Sequence, residues 1–467
     1  MAGIGFELRK YLDEDTFGGT LKAYGFAGLI GAGPWVLSIL GVMLIGIVAV
    51  SRQGVDGDGA LGIRQFATSV TWIMGASLIL TGLLQLVFTR FIADRLYEGR
   101  ESIVNANLLG ALALTTAVAG LLGLVLALTL FDETFGWEAL MVGNFVALSN
   151  IWIVVIFVAG LKRFRLILGA FGAGYATTVL ACLALLPFGP NGLLAGLLIG
   201  HALLLFVMLG VVVPEYPVSQ TVRFDFLRRQ AIFPKLILVG VLYNAGIWVD
   251  KLIFWTAPGT SEAVVGPLRA SLIYDLPIFL AYLSIIPGMA VFLLRIETDF
   301  AEAYDGFFSA VRGNASLPEI ERLGDAMVVA VREGLHQICR VQGATVLVLY
   351  LLGPTIVGWL GISDAYVHLY YIDLVGVAAQ VLMLAVLNVA FYLDRLDDAL
   401  LLTATLFVSN ALFSWATIQL GPAWYGYGFG LSMTLTALLG VVLIARELEN
   451  IEFRTFMRAR PAGGTTS

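Results

Sequence analysis

The residues of this chain that could do chemistry are ionisable or polar groups set inside long apolar runs. Asn244, Trp248 and Lys251 are spaced i, i+4 and i+7, which places them on one face of a helix. Asp250 lies beside Lys251 on the adjoining face. Tyr366, Tyr370 and Asp373 repeat the same spacing, and Gln380 follows seven residues on. A charged side chain at bilayer depth costs about 2.5–3.5 kcal/mol on insertion scales, so each such residue is a functional candidate. The first stripe reads as the lining of a substrate path; the plainer alternative is that Lys251 snorkels to the outer interface. In the second stripe, aromatic faces beside an amide and a carboxylate suit a sugar, which offers an apolar face and hydroxyls. An interfacial aromatic belt would explain the tyrosines alone. Asp250, and Asp275 near Pro277, are the candidates for ion coupling. His201 and His368 read as packing or interface histidines rather than proton relays.

Membrane spans must position these groups. Of 467 residues, 59% are hydrophobic and only 13% charged, with a mean hydropathy of +0.91. Soluble domains carry about 25% charged residues, and no soluble core needs so much apolar surface. The apolar runs number twelve, each near the ~20 residues that cross a bilayer, the eighth being Leu268–Leu294. The expected fold is an all-α polytopic membrane protein of two six-helix lobes. Residues 1–213 form the first lobe, 214–231 a linker, 232–446 the second lobe and 447–467 a tail. Placed on these spans, Arg52, Arg64, Lys251 and Arg269 fall on one side, and the other 23 of the 27 lysines and arginines on the opposite side. The positive-inside rule then puts both termini in the cytoplasm. The first apolar run is too long for a cleavable signal peptide.

The lobes carry a trace of duplication. Lys22, Ala32, Gly33, Trp35 and Val36 match Lys235, Ala245, Gly246, Trp248 and Val249 at a constant offset of 213 positions. Parallel repeats of this kind place a substrate path between the lobes, and Trp35 joins the candidates for its lining. Pro34, after the run Gly25, Gly28, Gly31 and Gly33, is a candidate hinge or a static kink. Between the eighth and ninth spans, residues 295–340 read as an amphipathic helical pair. Phe300, Tyr304, Phe307 and Val311 mark the first helix, and Ser316 with Glu319 forms a capping box before the second. Its apolar face is expected to lie on a partner or on the membrane.

Other chemistries find no support. No phosphate-binding loop is present, and the three histidines and two cysteines are not spaced to hold a metal. Cys182 and Cys339 read as isolated thiols. No cofactor is implied, and the net charge of −6 argues against nucleic acid.

The opening Met1-Ala2-Gly3-Ile4-Gly5-Phe6-Glu7-Leu8-Arg9-Lys10, followed by Gly31-Ala32-Gly33-Pro34-Trp35, resembles the PelG family of exopolysaccharide transporters. The likeness extends over length, span number and the loop after the eighth span. PelG is itself similar to the multidrug/oligosaccharidyl-lipid/polysaccharide exporters, whose two lobes form a V around a central cavity. The resemblance implies export of an N-acetylgalactosamine-rich polymer across the bacterial inner membrane. It also implies a complex with the glycosyltransferase PelF, the cyclic-di-GMP receptor PelD and the scaffold PelE, with loop 295–340 as a docking element. A lipid-linked oligosaccharide flippase, a drug antiporter and a non-transporting scaffold remain open on the residues alone. A membrane glycosyltransferase would need an acidic motif on a sizeable loop, and none is found.

Overall fold

The computed structural model describes residues 17–53, 58–158, 164–217, 222–360, 363, 366–451 and 455. Side chains at 17, 20, 21, 29, 32–35, 50–53, 58–60, 158 and 164–165 lie outside that description. Long apolar helices dominate because no water is present in a bilayer to satisfy free backbone groups. The first six are α1 (Phe17–Gln53), α2 (Asp58–Tyr97), α3 (Val104–Leu130), α4 (Phe135–Val158), α5 (Phe164–Leu185) and α6 (Gly189–Val212). Then come α7 (Pro234–Thr256), α8 (Leu272–Tyr282), α9 (Ile285–Leu294), α10 (Ala301–Arg312), α11 (Leu317–Trp359), α12 (Val367–Tyr392), α13 (Leu396–Leu420) and α14 (Tyr427–Glu449). Among the described residues ten apolar helical stretches are long enough to cross a membrane. One of them, Leu166–Glu215, holds both α5 and α6, and the described apolar part of α1, Val36–Ala49, is shorter than a span. Separating the first and adding the second gives twelve.

Helix packing repeats between the halves. In the first, α5 packs on α6, α1 on α5, α4 on α6, α3 on α4 and α2 on α4. In the second, the same pattern appears as α13 on α14, α7 on α13, α12 on α14, α11 on α12 and α8–α9 on α12. The halves meet reciprocally, α1 against α9 and α2 against α7. Both meetings rest on small residues, as helix contacts in lipid do. Gly82 and Gly240 face each other so closely that a Cβ on either would strike the other's backbone. Gly28 and Gly31 press on Ile286 and Met289 in the same way. Gly28 and Gly31 thus serve close packing; α1 itself runs unbroken through position 34, and the side chains of Pro34 and Trp35 lie outside the described residues.

Three local expectations need correction. The eighth span does not start at Leu268: Glu262–Val265 and Leu268–Ala270 pair as an antiparallel hairpin, turning at Gly266 with φ +49°. Helix begins only at Leu272, breaks between α8 and α9, and continues through a π-helical turn, Arg295–Phe300, into α10. Second, helix α11 does begin after Ser316, but that residue makes no side-chain cap. Glu319 instead takes two bonds from Arg322, at 2.6 and 3.1 Å, which hold its carboxyl below the usual range. Third, the apolar face of residues 295–340 needs neither lipid nor partner. Phe300, Phe307, Met327, Val331 and Ile338 are buried within the chain, with Phe300 edge-on to Tyr392 at 5.3 Å.

The Gly82–Gly240 contact generates a test. Gly82→Ala should lower the thermal unfolding midpoint in detergent by an amount matching overpacking, about 1–3 kcal/mol. Gly172→Ala, whose added Cβ meets nothing, should leave it level or raise it; equal midpoints for the two would remove the glycine seam.

Candidate functional site

Between the halves lies a cavity of about 380 Å³ walled by α1, α2, α7, α8 and the hairpin. It stands toward the end of the bundle that carries Arg64, Glu262 and Arg269. The opposite end, rich in arginine, is closed by the glycine contacts and by Arg90, which pairs with Asp394 at 3.0 Å and lies 5.5 Å from the Phe233 ring centre. Trp72, Trp248 and Trp255 share the cavity wall. The Trp72 and Trp255 rings are 4.6 Å apart at 33°, and Trp248 and Trp255 are 6.2 Å apart. Two of these indoles are fixed by their own N–H groups: Trp72 Nε1 donates to the Arg269 carbonyl at 2.8 Å. Trp255 Nε1 donates to both oxygens of Asp275, at 2.8 and 2.9 Å, and the Ser271 amide donates to one of them. Arg269 is itself held by the Trp255 and Ser261 carbonyls and the Ser261 hydroxyl. Trp248 and Trp255 are 2% and 1% exposed, so half-buried Trp72 is the indole the wall presents, with Asp275 and the guanidinium of Arg64 beside it.

A second polar assembly sits inside the C-terminal half, where Asp250 and Lys251 are 0% and 1% exposed. Lys251 Nζ contacts Asp250 Oδ2 at 3.0 Å and donates to the Ile247 carbonyl at 3.0 Å and to the Tyr282 hydroxyl at 3.3 Å. Tyr274 donates to Asp250 Oδ2 at 2.6 Å, and Asn410 Nδ2 to Oδ1 at 3.3 Å. Ser414 donates to Asn410 Oδ1 at 3.0 Å. Lys251 also faces the Tyr282 and Phe429 rings at 5.2 Å and the Trp248 ring at 5.8 Å, close enough for cation–π attraction. Lys251 is thus an interior cation and does not snorkel outward. Nearby Asp373 is fully buried, and among the described residues neither of its oxygens has a hydrogen-bond partner.

Of the predicted residues, Trp248 and Asp275 line the inter-lobe cavity. Asn244, Asp250, Lys251, Tyr370, Asp373 and Gln380 are buried in the C-terminal half away from its wall. Gln380 meets Tyr243, Asn244 packs at the Gly82 seam, and Tyr366 is half-buried just before α12. The tyrosine stripe of α12 offers no exposed platform, since Tyr370 is 2% exposed. Sequence reasoning missed Trp72, Trp255, Tyr274, Tyr282 and Asn410. Asn410 and Ser414, at i and i+4 in an apolar span, carried a legible signal; the others did not.

The fold defines the class. With TM-score 0.62 and 12% identity, the chain resembles a mutant of the Vibrio cholerae MATE transporter VcmN over 92% of its length and 98% of that chain. It resembles the outward-facing form of a multidrug resistance MATE family transporter of the MOP superfamily at TM-score 0.61 and 14% identity, over 92% and 95% of the two chains. A MOP superfamily transporter from Pyrococcus furiosus, described as having a binding pocket of reverse polarity, matches at TM-score 0.59 and 14% identity, over 92% and 98%. No curated protein matches the chain. This is the fold of MATE-like transporters, a multi-pass membrane architecture. Within it, residues 1–456 match the PelG family, "Putative exopolysaccharide Exporter (EPS-E)", and the chain belongs to that family.

The buried pair makes a prediction. Lys251→Met strands Asp250 and should cost about 3–5 kcal/mol of stability. Adding Asp250→Asn should recover most of that loss, because the double variant buries no charge there. Thermal unfolding in detergent compares them; equal loss in both variants would mean that the pair is not the strut.

Proposed function

We propose that this protein exports Pel exopolysaccharide, an N-acetylgalactosamine-rich polymer, across the bacterial inner membrane and so supplies the biofilm matrix. The observation that carries the reading is the cavity between the lobes, where Trp72, backed by buried Trp255 and Trp248, stands beside Asp275 and Arg64. Indole faces pack against the C–H face of a sugar ring whatever its position along the chain, while Asp275 and Arg64 meet hydroxyl and amide groups. A sliding polymer needs such repeatable, weakly directional contacts. Membership of the exporter family supports the same reading. Asp373 adds a means of coupling. A dry carboxyl without a partner is neutralised by a proton or a small cation, and Asp373 is placed near the Asp250–Lys251 pair to exchange one. In this reading both termini and the arginine-rich end face the cytoplasm, and the charged outer faces of α10 and α11 meet PelD, PelE and PelF.

A flippase for a lipid-linked oligosaccharide is the second reading, favoured by Arg64 beside a mostly apolar cavity wall, which suits a pyrophosphate. Export assays separate the two. Trp72→Ala and Asp275→Asn should each cut secreted polymer severalfold at unchanged membrane level, a loss of about 1.4 kcal/mol being tenfold. Trp72→Phe should retain most export. Normal export in Trp72→Ala and Asp275→Asn together would exclude this cavity as the path, and accumulation of a lipid-linked precursor would select the flippase.

Orientation has its own check. In a Cys339→Ser background, Glu262→Cys should react with an impermeant maleimide in spheroplasts, whereas Glu321→Cys should react only after the membrane is opened. The reverse pattern would invert the topology.

A further inference from the structure

Helix α11 is one unbroken helix from Leu317 to Trp359, so a single face of it passes from water into the bilayer. Toward its end Leu347, Val348, Leu351 and Leu352 are exposed, as lipid-facing residues are. Followed backward in steps of three and four, the same face carries Arg340, His336 and Arg332, also exposed. The stretch from Val341 to Trp359 rises about 28 Å at 1.5 Å per residue, close to the ~30 Å of hydrocarbon in a bilayer. Arg340 therefore stands at the headgroup boundary and His336 about 6 Å beyond it.

These residues border a cavity of about 680 Å³, completed by Arg295 and Gln337. Arg295 is anchored there by Asp299 at 2.7 Å and by the Gln337 side-chain oxygen at 2.5 Å. Three arginines face a single carboxylate in the wall, Glu333. Among the described residues Arg332, His336 and Arg340 make no ion pair or side-chain hydrogen bond, so their donors are free. We propose that this cavity holds the phosphodiester headgroup of an anionic phospholipid, with its acyl chains along Leu347 and Leu351. A guanidinium matches phosphate oxygens in pairs, and basic groups just outside a span attract anionic lipid. Charge alone would admit any anion; the continuous apolar strip below the arginines selects one that carries acyl chains. The site is independent of the transported substrate.

The test uses the full-length protein in detergent micelles, with phosphatidylglycerol or phosphatidylcholine added and retained lipid counted by native mass spectrometry. Wild type and an Arg312→Gln/Arg322→Gln control should retain phosphatidylglycerol at least tenfold better than phosphatidylcholine. Arg332→Gln/Arg340→Gln should fall to the phosphatidylcholine level, and Arg332→Lys/Arg340→Lys should recover part of the preference. Unchanged retention in the glutamine variant overturns the proposal. So does displacement of the lipid by inorganic phosphate at an ionic strength where chloride displaces none, which would mark a site for free anions.

Discussion

The C-terminal half is organised by one sequence-adjacent ion pair that has no access to water. Removing a carboxylate and an ammonium from water costs several kcal/mol each, and mutual attraction offsets this only when the remaining donors and acceptors are satisfied. Asp250 and Lys251 meet that condition by drawing on other helices. Tyr274 and Tyr282 come from α8 and Asn410 from α13, while Phe429 brings the face of α14 to the ammonium. Each of those helices is thereby fixed in rotation about α7, since turning any one would leave a buried charge short of a partner. Packing in lipid gives little such specificity, because acyl chains are as apolar as leucine.

The N-terminal half has the same packing plan without this chemistry. At the offset of 213 positions Asp250 and Lys251 correspond to Leu37 and Ser38. Ser38 bonds the Tyr175 hydroxyl at 2.9 Å, a neutral contact between α1 and α5. It joins the same two places in the bundle that Asp250 and Asn410 join between α7 and α13. The two halves thus share a packing plan, and the charge stands in one of them only. A cation or proton entering this protein meets acidic side chains at the centre of only one half, so any coupling to ions acts asymmetrically on the cavity.

Helix number and the presence of Asp250, Lys251 and Asp373 at bilayer depth were legible because the cost of a charge in lipid is visible in one dimension. What lay opposite those residues was not. Periodicity says that Trp248 and Lys251 share a face, yet it cannot say which neighbour meets that face. Trp72 and Trp255 therefore stayed hidden among tryptophans that composition alone would assign to a membrane interface. The stripe of Lys251 read as lining a path, with snorkelling as the alternative, and periodicity could not show α8 and α14 closing over it inside one half. The hairpin was missed because apolar continuity from Leu268 outweighed the Gly266-Pro267 turn signal. The loop after the eighth span misled differently. Its amphipathic face was real, but α10 and α11 cover it by packing on each other, on α9 and on the π-helical turn, with Tyr392 of α12 against Phe300.

The seam between the halves differs in kind from the packing inside them. Within each half, side chains interdigitate and buried polar groups are shared among helices. Across the seam, Gly82 meets Gly240, and Gly28 and Gly31 meet the backbone and short branches of α9. Side chains also cross the seam, Trp72 to the Arg269 carbonyl and the Trp255 ring and Gln337 to the Tyr24 hydroxyl. The ion pairs across it are solvent-accessible: Asp394 is 64% exposed opposite Arg90, and Glu262 is 68% exposed opposite Arg64. Exposed pairs of this kind contribute about 0–1 kcal/mol, far less than the 3–5 kcal/mol at stake when a buried pair is broken. The ion pair that braces the C-terminal half is buried and those that join the halves are exposed, so the cavity, bordered by Arg64 and Arg269, lies where charged contacts hold least.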